Sequence, residues 1–206
     1  MYVPPPFQGP EPSKLFDFIE AHSFGLLVSG TLGKLCATHL PLLVRRDAGP
    51  HGQIVGHLAR ANPHWQELSG TDVLAIFSGP HAYISPTWYE AADVVPTWNY
   101  LAVHVYGRCQ VIEDDPTTAD VLADYVQTYE ATMPRPWSLD TTTPFFRKLA
   151  KQIVAFRIEI TRLEGKWKLS QNHPAERREK VARQLATSPR ADDQEIARLM
   201  RENHAG

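Results

Sequence analysis

Apolar and polar residues alternate with a period of two along much of this chain, and that pattern predicts strands. Phe24 to Ser29 reads as a strand, Gly30 to Gly33 as a tight turn and Leu35 to Val44 as the hairpin partner. Gln53 to Leu58 and Val73 to Ser78 read as a third and a fourth strand. The longest candidate is Tyr100 to Ile112, with Leu101, Val103, Val105, Cys109 and Val111 on one face and Tyr100, His104, Tyr106, Arg108 and Gln110 on the other. Ile153 to Ile160 supplies the last strand.

Helical spacing fills the gaps and the end of the chain. Ser13 reads as the cap of a short helix whose apolar face is Leu15, Phe16, Phe18 and Ile19. Asn62 reads as a second cap, with Pro63 at the favoured first position. Pro116 to Ala131 and Phe145 to Gln152 read as two more helices. Beyond Pro174, Val181, Leu185, Ile196, Leu199 and Met200 have the spacing of two amphipathic helices broken near Ser188-Pro189. Six or seven antiparallel strands with peripheral helices favour a mainly β barrel over a parallel sheet. The expected organisation is one barrel domain, 1–173, and a helical tail, 174–206.

Composition changes this picture little. The chain has 206 residues, 43% hydrophobic and 21% charged, as an ordinary folded domain does. No apolar run has the length of a bilayer span, and the Pro-rich start lacks the basic and apolar regions of a signal peptide, so the cytoplasm is expected and a membrane is not. Both cysteines, Cys36 and Cys109, sit in strand-like apolar surroundings and read as buried free thiols. A net charge of −2 argues against binding nucleic acid through the overall field and leaves DNA contact to a local segment.

The densest candidate chemistry is Glu164-Gly165-Lys166-Trp167-Lys168-Leu169-Ser170-Gln171-Asn172, which suits a ligand carrying both a phosphate and a flat hydrogen-bonding ring. A solvated loop anchored by Trp167 is the plainer alternative. Arg60 beside the Asn62 cap makes an anion site if the guanidinium turns inward, and a surface cap if it does not. Thr38 and His39 face opposite sides of a strand that Pro41 deprives of one donor. His39 and His57 are candidate ligand contacts or structural hydrogen-bonders. Trp98 and Asn99 stand at the entrance to the long strand. No spacing matches a metal motif, and no nucleophile elbow or Cys/His pairing marks a catalytic residue.

Taken in order, Tyr2-Val3-Pro4-Pro5, Ala37-Thr38-His39-Leu40-Pro41, Gly56 to Pro63, Gly79 to Pro86, Val95 to Tyr100 and Leu163 to Asn172 resemble the PaiB family of FMN-binding negative transcriptional regulators. The resemblance implies a split β-barrel of the pyridoxamine-phosphate-oxidase type and a homodimer with flavin at its interface. It implies cofactor contacts from Thr38, His39 and Leu40 along the ring, from His57, Arg60 and Asn62 toward the phosphate, and from Lys166, Lys168, Gln171 and Asn172. Trp98 and Asn99 are then expected from the partner chain. An FMN-dependent oxidoreductase using a reduced nicotinamide is the alternative, since the cofactor itself carries such chemistry. A haem protein ranks third, because no axial pair among His39, His57, His81 and His104 is assignable.

Overall fold

The computed structural model describes residues 1–31 and 34–203. Within these residues seven strands form one sheet: β1 (Phe24–Thr31), β2 (Lys34–Pro41), β3 (Leu43–Arg45), β4 (Gln53–Ala59), β5 (Asp72–Ile84), β6 (Thr97–Ile112) and β7 (Ile153–Lys168), in the order β2-β1-β5-β6-β7-β4-β3. The β1–β2, β1–β5, β3–β4 and β4–β7 pairs are antiparallel. Among the described residues five α-helices accompany them: α1 (Pro12–Ala21), α2 (Asp115–Glu130), α3 (Pro144–Ala150), α4 (Ala175–Ala186) and α5 (Ala191–Glu202). The chain forms two compact units, one of 1–18, 78–104 and 164–206, the other of 19–77 and 105–163.

In the second unit the expected strand from Leu35 to Val44 is two strands. β2 and β3 stand at opposite ends of the sheet order, yet only Leu42 separates them. Leu42 is fully buried, and its amide leaves the ladder to reach Ser23 O at 2.8 Å. Consecutive strands at the two ends of one sheet require the sheet to curl, and β2 accordingly packs beside β4 as well as β1. Leu27, Leu40, Ile54, Ala75, Phe77, Val105, Phe156 and Ile158 are buried in this unit. α2 covers a further cluster of Leu43, Val55, Ile112, Val121, Tyr125 and Ala155. Burial pushes the Tyr125 phenol up, and its hydroxyl donates to Pro41 O at 2.6 Å.

Alternation along β6 keeps Leu101, Val103, Val105 and Cys109 inside as expected, but then slips by one, so Ile112 is buried and Val111 only half so. Cys109 is buried and its thiol is pushed up to about 12, whereas Cys36 is half-exposed, contrary to expectation. The β1–β2 turn falls partly on Leu32 and Gly33, outside the described residues. α1 begins at Pro12, so Ser13 lies within the helix; proline's fixed φ suits the first position and makes a following cap unnecessary. α3 is capped by Thr143, whose hydroxyl accepts from the Phe146 amide at 3.1 Å. Thr143→Ala should cost about 1 kcal/mol, read as a lower urea midpoint at unchanged m-value.

In the first unit α4 and α5 pack as a helical hairpin, burying Val181, Leu185, Ile196 and Met200, with a break at Ser188-Pro189 as expected. α4 also packs on the turn Pro86–Tyr89 that follows β5. β5 and β7 both run further than their apolar patterns imply. β7 takes in Leu163, Gly165 and Trp167 on one face and Glu164, Lys166 and Lys168 on the other, so the charged segment, for which a solvated loop was the plainer alternative, is mostly strand. No helix is long and apolar enough to cross a membrane among the described residues.

Candidate functional site

Alternation on β7 places two lysines on one face at the end of the strand, in the first unit. Lys166 is only 8% exposed; its ammonium donates to Tyr2 O at 3.0 Å and sits 5.3 Å from the Tyr100 ring. Lys168 Nζ donates to Thr97 Oγ1 and lies 6.0 Å from the Phe7 ring. The nearby carboxylate of Glu164 is paired with the N-terminal ammonium. Neither lysine has a carboxylate partner among the described residues, although buried charge is costly when unpaired. Burial, and then the charge of Lys166, hold the Lys168 pKa below the ordinary lysine value. Burial, Arg177 and Lys168 likewise depress His173.

Lys168 opens onto a cleft of about 250 Å³ lined also by Phe7, Asp93, Thr97, Ser170, Asn172 and His173, and Asp93 makes no ion pair with it. The strand ends in a tight turn where Ser170 has φ 63°. Gln171 closes that turn: its Oε1 accepts from the Leu169 amide at 2.7 Å and its Nε2 donates to Trp167 O at 2.5 Å. Both ends of its amide are therefore engaged internally. Asn99, 0% exposed, is engaged in the same way with Ser170 Oγ, at 3.1 and 3.2 Å. Trp98 points the other way on β6 and is 48% exposed, edge-on to Tyr83 at 5.8 Å and tilted against His81 at 6.0 Å.

In the second unit, Asn62 and Thr38 meet. Asn62 Oδ1 accepts from the His64 amide at 3.0 Å, capping the 3-10 turn Pro63–Glu67, and Asn62 Nδ2 donates to Thr38 Oγ1 at 3.3 Å. Buried His64 completes this network, and sequence reasoning passed over it; its position just after an Asn-Pro cap was the available signal. Arg60 was expected beside a helix terminus. The element after it is a five-residue 3-10 turn, and Arg60 donates to Lys151 O and Ile153 O, both at 2.9 Å. It lines a cleft of about 370 Å³ with Trp65, Lys151 and the acidic Glu113 and Asp115. Leu40 is buried, while His39 lies on the opposite face of β2, exposed and stacked on Phe24 at 6.2 Å. His57 packs edge-on against Tyr125 at 4.8 Å; its Nδ1 is buried without a hydrogen-bond partner, and burial lowers its pKa.

Residues 1–162 match the family described as "Putative FMN-binding domain". The Bacillus subtilis (strain 168) protein named Protease synthase and sporulation protein PAI 2 is 37% identical over 202 residues, 97% of this chain and 96% of that one. The chain belongs to the PaiB family. An uncharacterized Aspergillus fumigatus protein is 28% identical over 81% of this PaiB chain and 84% of its own length. Among solved structures, the FAD and heme binding protein from Mycobacterium smegmatis aligns with a TM-score of 0.62 and 15% identity, over 83% of this chain and 78% of that one. The flavocytochrome Anf3 from Azotobacter vinelandii aligns at 0.59 and 14%, over 76% and 67%. At those identities the likeness is one of fold, the split β-barrel.

The PaiB family's cofactor is FMN, and the donor set fits it. A phosphate monoester brings the negative charge that the two lysines of the first unit lack, and Thr97 and Asn172 beside Lys168 add a hydroxyl and an amide to the same cleft. Among the described residues no cluster of His, Cys, Asp or Glu is arranged to hold a metal ion.

Proposed function

We propose that this protein is an FMN-binding homodimer of the PaiB type that acts in the cytoplasm as a negative regulator of transcription. The observation that carries the cofactor reading is the pair Lys166, buried, and Lys168, half-buried, neither of them in an ion pair with a carboxylate. In the first unit, Lys168 with Thr97 and Asn172 takes the phosphate. In the second unit, taken by itself, Thr38 is the hydroxyl open to a flavin ring, and His39 offers an exposed aromatic face. Gln171 and Asn99, engaged within the fold, hold the turn that carries Lys168 and Asn172. The bound flavin supplies reversible electron uptake, and the protein's own residues bind and orient it.

A second copy of the chain is supported by the outer face of β1 and β2, where Phe24 (68% exposed), Leu35 (85%), Ala37 and His39 leave apolar surface in solvent. The barrel segment 1–173 is the flavin-binding part in this reading. The tail offers little direct purchase on DNA, because Lys180 pairs with Glu90 and Glu176, Arg183 and Arg201 with Glu179, and Arg198 with Glu195 and Glu202. Repression through a partner, or through another face of the dimer, is the form this favours.

Titration with FMN and with riboflavin, followed by flavin absorbance and fluorescence quenching, tests the site. FMN should bind at micromolar concentration or below, and riboflavin, which lacks the phosphate, at least tenfold more weakly, a difference of about 1.4 kcal/mol or more. Equal affinities would remove the phosphate role of the lysines. Salt-sensitive binding to its own upstream DNA supports regulation by direct contact, whereas bleaching of bound flavin by reduced nicotinamide would move the reading to an oxidoreductase.

A further inference from the structure

His64 is 1% exposed, and each of its ring nitrogens faces a hydroxyl: Nε2 is 2.9 Å from Ser29 Oγ and Nδ1 is 2.8 Å from Thr38 Oγ1. Asn62 Nδ2 donates to the same Thr38 oxygen at 3.3 Å. Burial lowers the His64 pKa, with Glu67 opposing, so near neutral pH the ring carries one proton and has one donor and one acceptor. Either placement of that proton leaves each ring nitrogen with a hydrogen-bond partner.

The two placements leave Thr38 in different states. With the proton on Nε2, the ring donates to Ser29 Oγ and Thr38 donates its hydrogen to Nδ1. Thr38 then accepts from Asn62 with one lone pair and has the other to offer, so it presents an acceptor. With the proton on Nδ1, Ser29 donates to Nε2, and Thr38 accepts from both His64 and Asn62. Its lone pairs are filled and its hydrogen is left over, so it presents a donor. The number of protons and the net charge are the same in both. Ser29 and His64 are buried, whereas Thr38 and Asn62 are half-exposed; the Asn62 amide is engaged at both ends, so Thr38 is the member that a ligand meets.

We propose that Ser29 and His64 form a tautomeric selector that lets Thr38 offer a bound flavin either a hydrogen-bond donor or an acceptor. A flavin ring nitrogen that accepts a hydrogen bond when oxidised donates one when reduced, and a selector of this kind serves both states without bringing a charge into the fold. Ser29 and His64 are positioning residues that act through Thr38. The inference rests on the FMN reading and on Thr38 facing the ring.

The test follows the His64 ring nitrogens by long-range proton–nitrogen correlation in full-length protein labelled with 15N-histidine. The ring is identified by its nuclear Overhauser contacts to Ser29 and Thr38. With oxidised FMN the Nδ1–H tautomer is expected, and after anaerobic reduction with dithionite the Nε2–H tautomer. In Thr38→Val the redox dependence should vanish. One tautomer in both oxidation states, a doubly protonated ring, or a switch that persists in Thr38→Val overturns the selector while leaving FMN binding in place. If a parallel absorbance titration detects no FMN binding, the cofactor reading falls and the selector with it.

Discussion

Gly107→Ala is expected to destabilise the protein by roughly 3 kcal/mol or more, lowering the thermal midpoint by roughly 6–12 °C. A Cβ at position 107 would lie 2.3 Å from Glu159 O, 3.0 Å from Glu159 C and 2.6 Å from Ile158 Cγ2. Two of those atoms are backbone of β7, whose residues from Ile153 to Glu159 are held in register by β4 on its other side. The strand has no room to retreat, so the clash must be relieved by parting β6 from β7. Gly30→Ala is the matched control, because its added methyl meets mainly the end of the exposed Leu35 side chain, at 3.1 Å, which can swing away. Circular dichroism melts of the two variants should differ sharply. Equal, small effects would mean that the β6–β7 approach at Gly107 is looser than the structure has it.

Lys168→Ala should weaken FMN binding about 30- to 100-fold, the roughly 2–3 kcal/mol of a charge-assisted hydrogen bond to phosphate. Removing the side chain leaves the fold little changed, because Lys168 contributes a hydrogen bond to Thr97 and no ion pair. Affinity should also depend on pH. The protonated ammonium is the form that binds phosphate, and burial with the neighbouring Lys166 lowers the Lys168 pKa in the free protein. Binding therefore weakens as pH rises, and it does so at lower pH than an ordinary lysine would give. Fluorescence titration of wild type and Lys168→Ala between neutral pH and pH 10 checks both statements. A variant within twofold of wild type, together with a flat pH profile, would remove Lys168 from the site. The same depression has a folding consequence of opposite sense: the folded state binds this proton less readily than the unfolded chain, so raising pH through the folded pKa adds stability.

Much of this protein was written in its periodicity. The alternation from Leu101 to Cys109, the strand from Gln53 onward, the Asn62-Pro63 cap and the two tail helices are local patterns, and local sterics and burial suffice to impose them. Even the end of β7 alternates in plain view, from Leu163 and Glu164 to Trp167 and Lys168; its charges gave it the look of a loop. Family membership, and with it FMN, was likewise legible in short motifs spread in order along the chain.

What the tertiary structure decided is which of those residues are free to act. Asn99 and Gln171 have the same donors and acceptors as Asn172, but Asn99 and Gln171 are engaged within the fold and Asn172 lines a cleft. Arg60 was expected at an anion and donates to the carbonyls of Lys151 and Ile153, partners 91 and 93 residues away that no local pattern reveals. The cut at Leu42 follows from closing the sheet, since a chain that continues smoothly in sequence must there pass from one end of the strand order to the other. His64 became central because β1 and β2 bring Ser29 and Thr38 to its two nitrogens. Hydrogen-bonding capacity belongs to the residue type, but its availability depends on non-local packing, and only the folded chain contains that information.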